Sequence, residues 1–397
     1  MKLAIMTAAY AAVFAAAMAL LYGTAKQGTP TAGKGRVLRI TLMSVCAVMW
    51  AFPLAGALIP DGPLCWFFQR WGNVFLGFLL YYSGALLLIR LCLALPCALY
   101  RKRHGGRSLP RQVHAWLLAV LAVFSLGVNL LGYAAAHDVK VTRYELSVRE
   151  LGIDRPMRLV LIADLHIGVN STPGMYEDMV RLINEQEADL VLVAGDIVTS
   201  SFGAMGDPER WADVLGGIRS HFGTYVVYGN HDVNEPLLGG FTYVGAENAH
   251  RDPAMPGFLE DCGWKLLQDE TATVPELGGL CIAGRRDLSR PGDGVKSRED
   301  LSVLLAEIDP SAPILLLQHE PAELEALDAL GVDLAVGGHT HDGQIFPGNV
   351  ITRMLAEQSC GMKQWGDCWS VVTSGVGYFG PPIRVGTVSE IAVIDIR

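Results

Sequence analysis

Hydrophobic residues dominate the first third of the chain in four long runs, at residues 3–22, 37–59, 71–89 and 113–136. Each run is close to or longer than the roughly 20 residues that a helix needs to cross a ~30 Å hydrocarbon core. Because a helix satisfies its own backbone hydrogen bonds, such runs are typical of membrane spans. Buried helices of a soluble protein would need four helices with almost no polar face, and we disfavour that interpretation. The pattern predicts an all-α membrane domain of four transmembrane helices over residues 1–136.

The remainder of the chain, residues 137–397, alternates short apolar runs with helical stretches. Buried strands are predicted at residues 158–163, 190–194, 225–228, 314–317 and 334–336, with helices near 175–187, near 208–220 and from Pro321. Such alternation favours parallel strands covered by helices. Residues 264–283 and 369–396 look like hairpins instead. We therefore predict one α/β domain, a two-sheet sandwich flanked by helices.

Charge changes sign between these two parts. Residues 1–136 hold 12 of the 31 Lys and Arg residues but only one of the 40 Asp and Glu residues. The formal net charge of −9 therefore combines a basic apolar part with an acidic globular part. Because nucleic acid is bound mainly through Lys and Arg, we expect no nucleic-acid partner for the acidic domain.

Positive charge is concentrated in the first and third loops between the apolar runs. The positive-inside rule places such loops in the cytoplasm, and four spans then put both chain ends on the opposite side. We expect an integral protein of the cell membrane, with the lipid bilayer as a partner and residues 137–397 outside the cytoplasm. The charges concerned are Lys26, Lys34 and Arg36 in the first loop and Arg101, Lys102, Arg103, Arg107 and Arg111 in the third.

Three features leave alternatives open. A cleaved signal peptide would expose the basic first loop on the outer side, so an uncleaved first span is favoured. Arg90 is either an intramembrane functional charge or, as we prefer, the end of the third span, followed by residues 91–100 along the membrane boundary and a break at Pro96. Cys360 and Cys368 are compatible with a disulfide outside the cytoplasm, and free buried thiols fit at least as well.

Polar motifs follow five of the predicted strands, at the point where each strand ends. Ligands bind at the carboxyl ends of strands in open α/β sheets, so these motifs are expected at one rim. In an extended segment residues i and i+2 point the same way, which would let Asp164 and His166, or His339 and His341, reach a common centre. The motifs are Asp164-Leu-His166, Gly195-Asp196, Gly229-Asn-His-Asp232, Gln318-His-Glu320 and Gly338-His-Thr-His341.

Imidazole, carboxylate and amide side chains together favour a first-row ion such as Mn, Fe, Zn or Co. Seven candidate ligands exceed what one ion normally takes. Two divalent ions that share Asp196 fit this set better. Singly each motif is weak, but their common position at strand ends favours a metal site.

The motifs, in this order, resemble the metallophosphoesterase superfamily, also called calcineurin-like phosphoesterases, over residues 157–396. Two longer segments, residues 338–344 and 377–384, are similar to its membrane-bound branch of transmembrane proteins that carry this domain. The resemblance implies a pair of mixed sheets flanked by helices. It also implies hydrolysis of a phosphodiester, pyrophosphate or phosphomonoester by a metal-bridging hydroxide.

Site residues follow from the same resemblance. Asp164, His166, Asp196 and His341 would hold the first ion, and Asp196, Asn230, His319 and His339 the second. His231 would be the catalytic residue that contacts the phosphoryl oxygens with Asn230 and assists the leaving group. Arg384 would either meet a second phosphate or form a structural salt bridge.

Two positions depart from the family pattern. Many relatives have an aspartate three residues after the Gly-Asp aspartate, where it orients the catalytic histidine, and here that position is Thr199. His231 is therefore expected to lack a carboxylate partner. Asp342 stands where membrane relatives often have a small residue; we expect its charge to face solvent rather than the metals.

A non-catalytic, metal-stabilised binding module of the same fold is the competing hypothesis, although no candidate ligand is missing. The membrane tether makes a lipid-linked or cell-envelope phosphoester a plausible substrate. Aromatic residues that would admit an acyl or prenyl chain, with ordinary packing as the favoured alternative for most, are Phe241, Tyr243, Phe346, Tyr378 and Phe379.

Overall fold

The computed structural model describes residues 2–30, 32–105, 109–147, 155–239, 241–242, 250–309 and 311–397, with Lys2, Leu3, Phe241 and Thr242 described by their backbone only. The chain forms two compact units. The first comprises Met1–Gly132 with the segments Leu237–Tyr243 and Gly380–Pro382. The second comprises Tyr133–Pro236, Val244–Phe379 and Ile383–Arg397.

The first unit is built from four apolar helices: α1 (Lys2–Gly28), α2 (Lys34–Leu58), α3 (Pro63–Arg103) and α4 (Arg111–Ala136). Among the described residues, these four are long and apolar enough to cross a membrane. Small residues let α2 and α3 approach closely, because a Cβ on Gly72 would lie 2.9 Å from the Pro53 nitrogen. A two-stranded hairpin of β5 (Leu237–Leu238) and β6 (Phe241–Thr242) also belongs to this unit.

Helix α3 differs from the predicted span over residues 71–89. It continues for 41 residues to Arg103, and Pro96 lies inside it. The expected break at Pro96 is therefore wrong, since a proline removes one hydrogen bond and long apolar helices tolerate that loss. Arg90 consequently lies within the helix and not at its end.

The second unit contains two six-stranded sheets. The first has the order β1 (Lys140–Leu146), β14 (Glu390–Ile396), β2 (Met157–Ile162), β3 (Leu190–Ala194), β4 (Thr224–Val227) and β7 (Trp264–Leu266). Strands β2, β3, β4 and β7 run parallel, whereas β14 is antiparallel to β2 and parallel to β1. Helices α5 (Pro173–Asn184), α6 (Pro208–Leu215) and α7 (Met255–Asp261) contribute to the core on one face.

The second sheet has the order β12 (Gly361–Trp365), β13 (Cys368–Val372), β11 (Leu334–Gly337), β10 (Ile314–Leu317), β9 (Leu280–Gly284) and β8 (Glu270–Val274). Its four central strands are parallel and its two edge strands antiparallel. Buried side chains of both sheets, such as Leu192 and Leu315, share one core. The short helices α8 (Leu301–Leu304) and α9 (Gly348–Leu355) complete the unit. The predicted fold class is thus confirmed: four apolar helices, then an α/β two-sheet sandwich with helices.

Several local predictions were wrong. The helix expected from Pro321 is replaced by two 3-10 turns, Leu324–Ala326 and Asp328–Leu330. The stretch 369–396 is not a hairpin, because β13 pairs with β12 while β14 joins the other sheet. In the stretch 264–283 the predicted hairpin is confirmed for β8 and β9, which pair antiparallel, whereas β7 joins the first sheet. An apolar strand pattern specifies burial but not the partner strand, which explains the errors in strand pairing.

All eight cysteines lie among the described residues and are free thiols. Cys360 directs its Sγ towards Oε1 of Glu390 at 3.7 Å, and Cys368 directs its Sγ towards the Trp369 carbonyl at 3.4 Å. The free-thiol alternative therefore describes these two residues, and the Cys360–Cys368 disulfide does not form.

Candidate metal centre

The loops that follow β2, β3, β10 and β11 bring two overlapping groups of metal-binding side chains together. Asp164, His166 and His341 form one group, and Asp164, Asp196 and His319 form the other. Within each group the potential ligand atoms lie within 4.8 Å of one another, and all five residues are buried. Parallel strands with their carboxyl ends at one rim deliver these residues from both sheets.

In the first group, Nε2 of His166 lies 2.9 Å from Nε2 of His341. The same His341 nitrogen lies 3.5 Å from Oδ1 of Asp164. Two imidazole nitrogens and a carboxylate oxygen thus converge on one point. This donor set suits a divalent transition-metal ion.

Two further side chains adjoin His319 of the second group: Oδ1 of Asn230 lies 3.0 Å from Nε2 of His319 and 2.9 Å from Nδ1 of His339. Nε2 of His319 also lies 3.2 Å from Oδ2 of Asp196. The structure therefore gathers Asn230 and His339, which the sequence placed on separate strands, around His319. An amide oxygen, two imidazoles and a carboxylate again fit a first-row divalent ion.

Asp196 belongs to the second group and also lies close to the first. Its Oδ2 lies 3.6 Å from Nε2 of His166, in the first group, as well as near His319 in the second. This oxygen is buried and has no hydrogen-bond partner among the described residues. A buried carboxylate oxygen without a partner is costly, and a bound cation on each side would satisfy it.

These candidate ligands lie on left-handed backbone and not on extended strands, and this conformation sets the direction of their side chains. Asp164, His166 and Asp196 have φ of 54°, 47° and 53°, and His339 and His341 have φ of 75° and 51°. The expected extended conformation of these residues is therefore wrong, and His339 and His341 turn to different groups. Left-handed backbone at a residue other than glycine costs about 1–3 kcal/mol and clusters at functional sites.

Burial and neighbouring charges set the protonation of the ligands. Burial lowers the pKa of His166 to about 3 and that of His339 to about 4, so both imidazoles are neutral near pH 7, the state that binds a metal. Burial raises the pKa of Asp164 to about 7. Burial also opposes ionisation of Asp196, but the surrounding histidines, His319 first, hold its pKa well below the usual range.

Further contacts orient two of the imidazoles. Oγ1 of Thr199 lies 2.7 Å from Nδ1 of His166, and the Ala194 carbonyl oxygen lies 2.7 Å from Nδ1 of His319. Such contacts fix the ring orientation and leave Nε2 available for a metal. Thr199, which occupies the position of the family aspartate, thus contacts His166, a candidate metal ligand.

His231 nevertheless has a carboxylate partner, which sequence reasoning missed. Its Nδ1 donates to Oε1 of Glu235, a residue that is 2% exposed. Nη1 of Arg290 donates to the other Glu235 oxygen and to the Asn230 carbonyl oxygen at 2.9 Å. Burial lowers the pKa of His231, but Asp196 and Glu235 outweigh it and raise that pKa overall. The Asn-His-Asp-Val-Asn-Glu spacing held the signal, since Glu235 follows His231 by four residues.

The aromatic residues named from the sequence differ in their placement. Phe379 stacks on His231 with ring centroids 4.2 Å apart, and it also lies 5.3 Å from the ring of His166. Tyr378 is buried and its hydroxyl donates to the Asn170 carbonyl oxygen at 3.0 Å, whereas Phe346 is 51% exposed. The side chain of Phe241 and all of Tyr243 lie outside the described residues. Among the described members of this set, Phe379 borders the site.

Arg384 is not placed to meet a substrate. The residue is 1% exposed, and its Nη2 lies 2.7, 3.0 and 2.7 Å from the carbonyl oxygens of Ser374, Gly375 and Gly377. The same loop donates from the Gly377 nitrogen to the Asp164 carbonyl oxygen at 2.8 Å. These contacts favour the structural alternative for Arg384, because the guanidinium donates to the backbone that supports Asp164.

Asp342 also differs from expectation. It is 5% exposed, so its carboxylate does not face solvent. Oδ1 accepts hydrogen bonds from Nε of Arg353 at 2.9 Å and from the Ser359 hydroxyl at 2.7 Å, and Oδ2 accepts from Nη2 of Arg353. The ion pair with Arg353 compensates the negative charge of Asp342, which was expected to face solvent.

Comparison with known proteins agrees with this geometry. Residues 157–343 match the model of the family described as calcineurin-like phosphoesterase, so the globular part of the chain contains a calcineurin-like phosphoesterase domain. A transmembrane protein with metallophosphoesterase domain from Danio rerio is 31% identical over 294 residues, which cover 71% of this chain and 61% of that protein. An uncharacterized metallophosphoesterase from Campylobacter jejuni is 25% identical over 288 residues, which cover 72% and 70% of the two chains.

Among solved structures, a dimetal phosphatase from Danio rerio is 13% identical with a TM-score of 0.36, and the match covers 58% of this chain and 90% of that chain. The chain spans about six tenths of the length of the zebrafish transmembrane protein.

Proposed function

We propose that the protein is a membrane-anchored phosphoesterase that depends on two divalent metal ions. The observation that carries this proposal is the buried Oδ2 of Asp196, which accepts no hydrogen bond from a described residue and lies near both His166 of one donor group and His319 of the other. A carboxylate oxygen with candidate ligands on either side can bridge two ions, and paired ions of this kind act in phosphoester hydrolysis. The phosphoesterase domain supports the same chemistry.

The ions would be divalent transition metals such as Mn, Fe, Zn or Co. Asp164, His166, Asp196 and His341 would hold the first, and the second would be held by Asp196, Asn230, His319 and His339. When bound, such a pair supplies positive charge to a phosphoryl group and lowers the pKa of water. The candidate ligands include histidine nitrogens as well as oxygens. Such a set favours these metals over Mg and Ca, which suit all-oxygen sites.

His231 and Asn230 would contact the phosphoryl oxygens. The Nδ1 of His231 is occupied by Glu235, so Nε2 is the ring nitrogen left to act on a substrate. Its raised pKa favours the protonated ring, which can donate a proton to the departing oxygen. Phe379 stacks on the same ring and restricts its orientation.

The substrate would be a phosphodiester, a pyrophosphate or a phosphomonoester, with a lipid-linked or cell-envelope phosphoester as the favoured source. Four apolar helices tether the domain to a bilayer, which supports a substrate near a membrane surface. The basic first and third loops support a phosphoesterase domain outside the cytoplasm.

The Asp196→Asn variant tests the bridging role. We would reconstitute the purified full chain with Mn²⁺, measure metal content by elemental analysis, and measure hydrolysis of bis-p-nitrophenyl phosphate and p-nitrophenyl phosphate. Asp196→Asn should lose both bound metal and turnover. Asp207→Asn is the matched control, because Asp207 caps α6 outside the site and asparagine caps a helix equally well. Full activity in Asp196→Asn would refute the proposal, and two bound ions without turnover in the unmodified chain would favour the binding module.

Sidedness is tested separately by proteolysis. In sealed cells, an external protease should digest the phosphoesterase domain, and permeabilisation should add no further cleavage of that domain. A domain that is protected until the cells are permeabilised would contradict the proposed orientation while leaving the metal chemistry untouched.

A further inference from the structure

The helical unit contains a cavity of about 310 Å³ between α1, α3 and α4. Its polar side is formed by Gln27, Arg90, Arg101 and His114, and its apolar side includes Leu93 and Leu117. A cavity of this size is within the range that holds small ligands. Its lining is both cationic and apolar, and neither the metal centre nor the proposed hydrolysis uses it.

Small side chains create this space. Arg90 and Arg101 are 11 residues apart on α3, about three helical turns, so they lie on the same face. Ala94, Cys97 and Ala98 lie between them and also line the cavity. Leu93 also lines the cavity from this segment, and the three small side chains leave space between the two guanidinium groups.

Neither guanidinium has a carboxylate partner among the described residues. Arg90 donates from Nη2 to Oγ1 of Thr24 at 2.9 Å and to Oε1 of Gln27 at 3.0 Å, which are neutral groups. Arg101 is exposed and has no hydrogen bond or ion pair with a described residue. The sequence up to residue 136 contains one acidic residue, Asp61, which lies between α2 and α3 at the other end of α3. The cavity is therefore electrostatically complementary to an anion.

We propose that this cavity binds the headgroup phosphate of an anionic glycerophospholipid. Arginine binds phosphate through several donors in a planar fork, and Arg101 together with Nη1 of Arg90, which donates to no described residue, is available for this contact. An acyl chain would lie against Leu93 and Leu117. Basic pockets between membrane helices on the cytoplasmic side bind anionic headgroups, and the charge rule predicts that this end of the helices faces the cytoplasm.

Native mass spectrometry of the full chain tests the proposal. The protein would be purified in detergent and titrated with phosphatidylglycerol or with phosphatidylcholine, and the retained lipid counted. Arg101→Gln should weaken phosphatidylglycerol retention about fivefold, because one basic residue at a lipid surface contributes about that factor. Arg90→Gln should weaken it by a similar factor. Arg103→Gln is the matched control, since it removes the same charge from the same end of α3 without lining the cavity.

Each outcome decides the proposal. Selective retention of phosphatidylglycerol that falls in Arg101→Gln and persists in Arg103→Gln supports it. Equal retention of phosphatidylcholine, or an equal loss in Arg103→Gln, would overturn it. Displacement of the lipid by inorganic phosphate at equal concentration would identify a free-phosphate site and would also overturn it. Arg101 makes no contact that folding requires, so Arg101→Gln remains informative if Arg90→Gln fails to fold.

Discussion

Glu235 accepts a hydrogen bond from Nδ1 of His231 through one carboxylate oxygen and a hydrogen bond from Arg290 through the other. The acid, which is 2% exposed, lies on the same loop as His231, and Arg290 also donates to the carbonyl oxygen of Asn230. A buried carboxylate held from both sides can fix the orientation and the protonated nitrogen of an imidazole. Glu235 thus supplies the carboxylate partner of His231 that the family pattern would place at position 199, where this chain has a threonine.

Substitution of Glu235 should impair leaving-group departure selectively. Glu235→Ala removes the acceptor for Nδ1, and we expect kcat to fall about 100-fold for diesters with poor leaving groups. The loss should be much smaller for p-nitrophenyl esters, whose leaving group needs little protonation. Steady-state rates for a series of aryl diesters with leaving groups of increasing pKa measure this difference.

Two variants separate positioning from general structural damage. Glu235→Gln keeps an oxygen that can accept from Nδ1, so part of the activity should return. Glu177→Gln removes an exposed acid outside the site and should leave the series unchanged. A loss in Glu235→Ala that is the same for every leaving group, with unfolding at a lower temperature, would indicate a structural role only.

Thr199 should affect the metal centre and not the leaving group. Thr199→Val keeps the shape of the side chain and removes the hydroxyl 2.7 Å from Nδ1 of His166. Loss of such an outer contact typically costs 10- to 100-fold in metal affinity, so we expect the Kd for Mn²⁺ to be about 10-fold higher in this variant. Isothermal titration with Mn²⁺ measures the change.

Thr273→Val is the control for that experiment, because Thr273 is exposed on the edge strand β8. It should bind Mn²⁺ as the unmodified chain does. Unchanged affinity in Thr199→Val would show that the hydroxyl does not orient His166.

The fold and the ligand types could be predicted from the sequence because they depend on local patterns. Strands 190–194 and 314–317 appear where the apolar runs place them, and each is followed by a motif residue, Asp196 or His319. Strand pairing could not be predicted, because β13 and β14 carry similar apolar patterns yet join different sheets. Register and partner are set by packing between distant segments.

The long-range contacts that support the candidate site could not be predicted from the sequence either. Arg290 reaches Glu235 across 55 positions of the chain, and no local pattern marks that pair. Asp342 was expected to face solvent, and only the fold shows that Arg353 covers it. Polar residues that support a site through long-range contacts are therefore the part that sequence reasoning misses.

Gly229 should tolerate no side chain, because the backbone here approaches a ligand. A Cβ on Gly229 would lie 2.2 Å from Oδ1 of Asp196, the oxygen that accepts a hydrogen bond from the His231 nitrogen at 2.7 Å. Gly229→Ala should reduce the free energy of unfolding by about 1–3 kcal/mol and displace Asp196, so bound metal should also fall. Thermal unfolding and elemental analysis measure both effects.

Gly174→Ala is the matched substitution, since a Cβ there meets no atom within 4 Å and Gly174 lies in α5. Alanine in a helix should be neutral or stabilising by up to about 1 kcal/mol. If Gly229→Ala retains both its stability and its two ions, the close approach to Asp196 does not constrain the site.

Arg384 distinguishes a structural cation from a substrate-binding one. Arg384→Met removes the donor to the carbonyl oxygens of Ser374, Gly375 and Gly377. Hydrogen bonds from charged groups are worth about 1.5–3 kcal/mol, so the free energy of unfolding should fall by about 3 kcal/mol or more. The exposed Arg219 provides the control, and Arg219→Met should unfold as the unmodified chain does.

A phosphate-binding role would instead raise KM for phosphodiesters without lowering stability, because a substrate contact is made only in the complex. Denaturant unfolding and KM measured on the same preparations therefore separate the two roles, and a raised KM at unchanged stability would contradict the structural assignment.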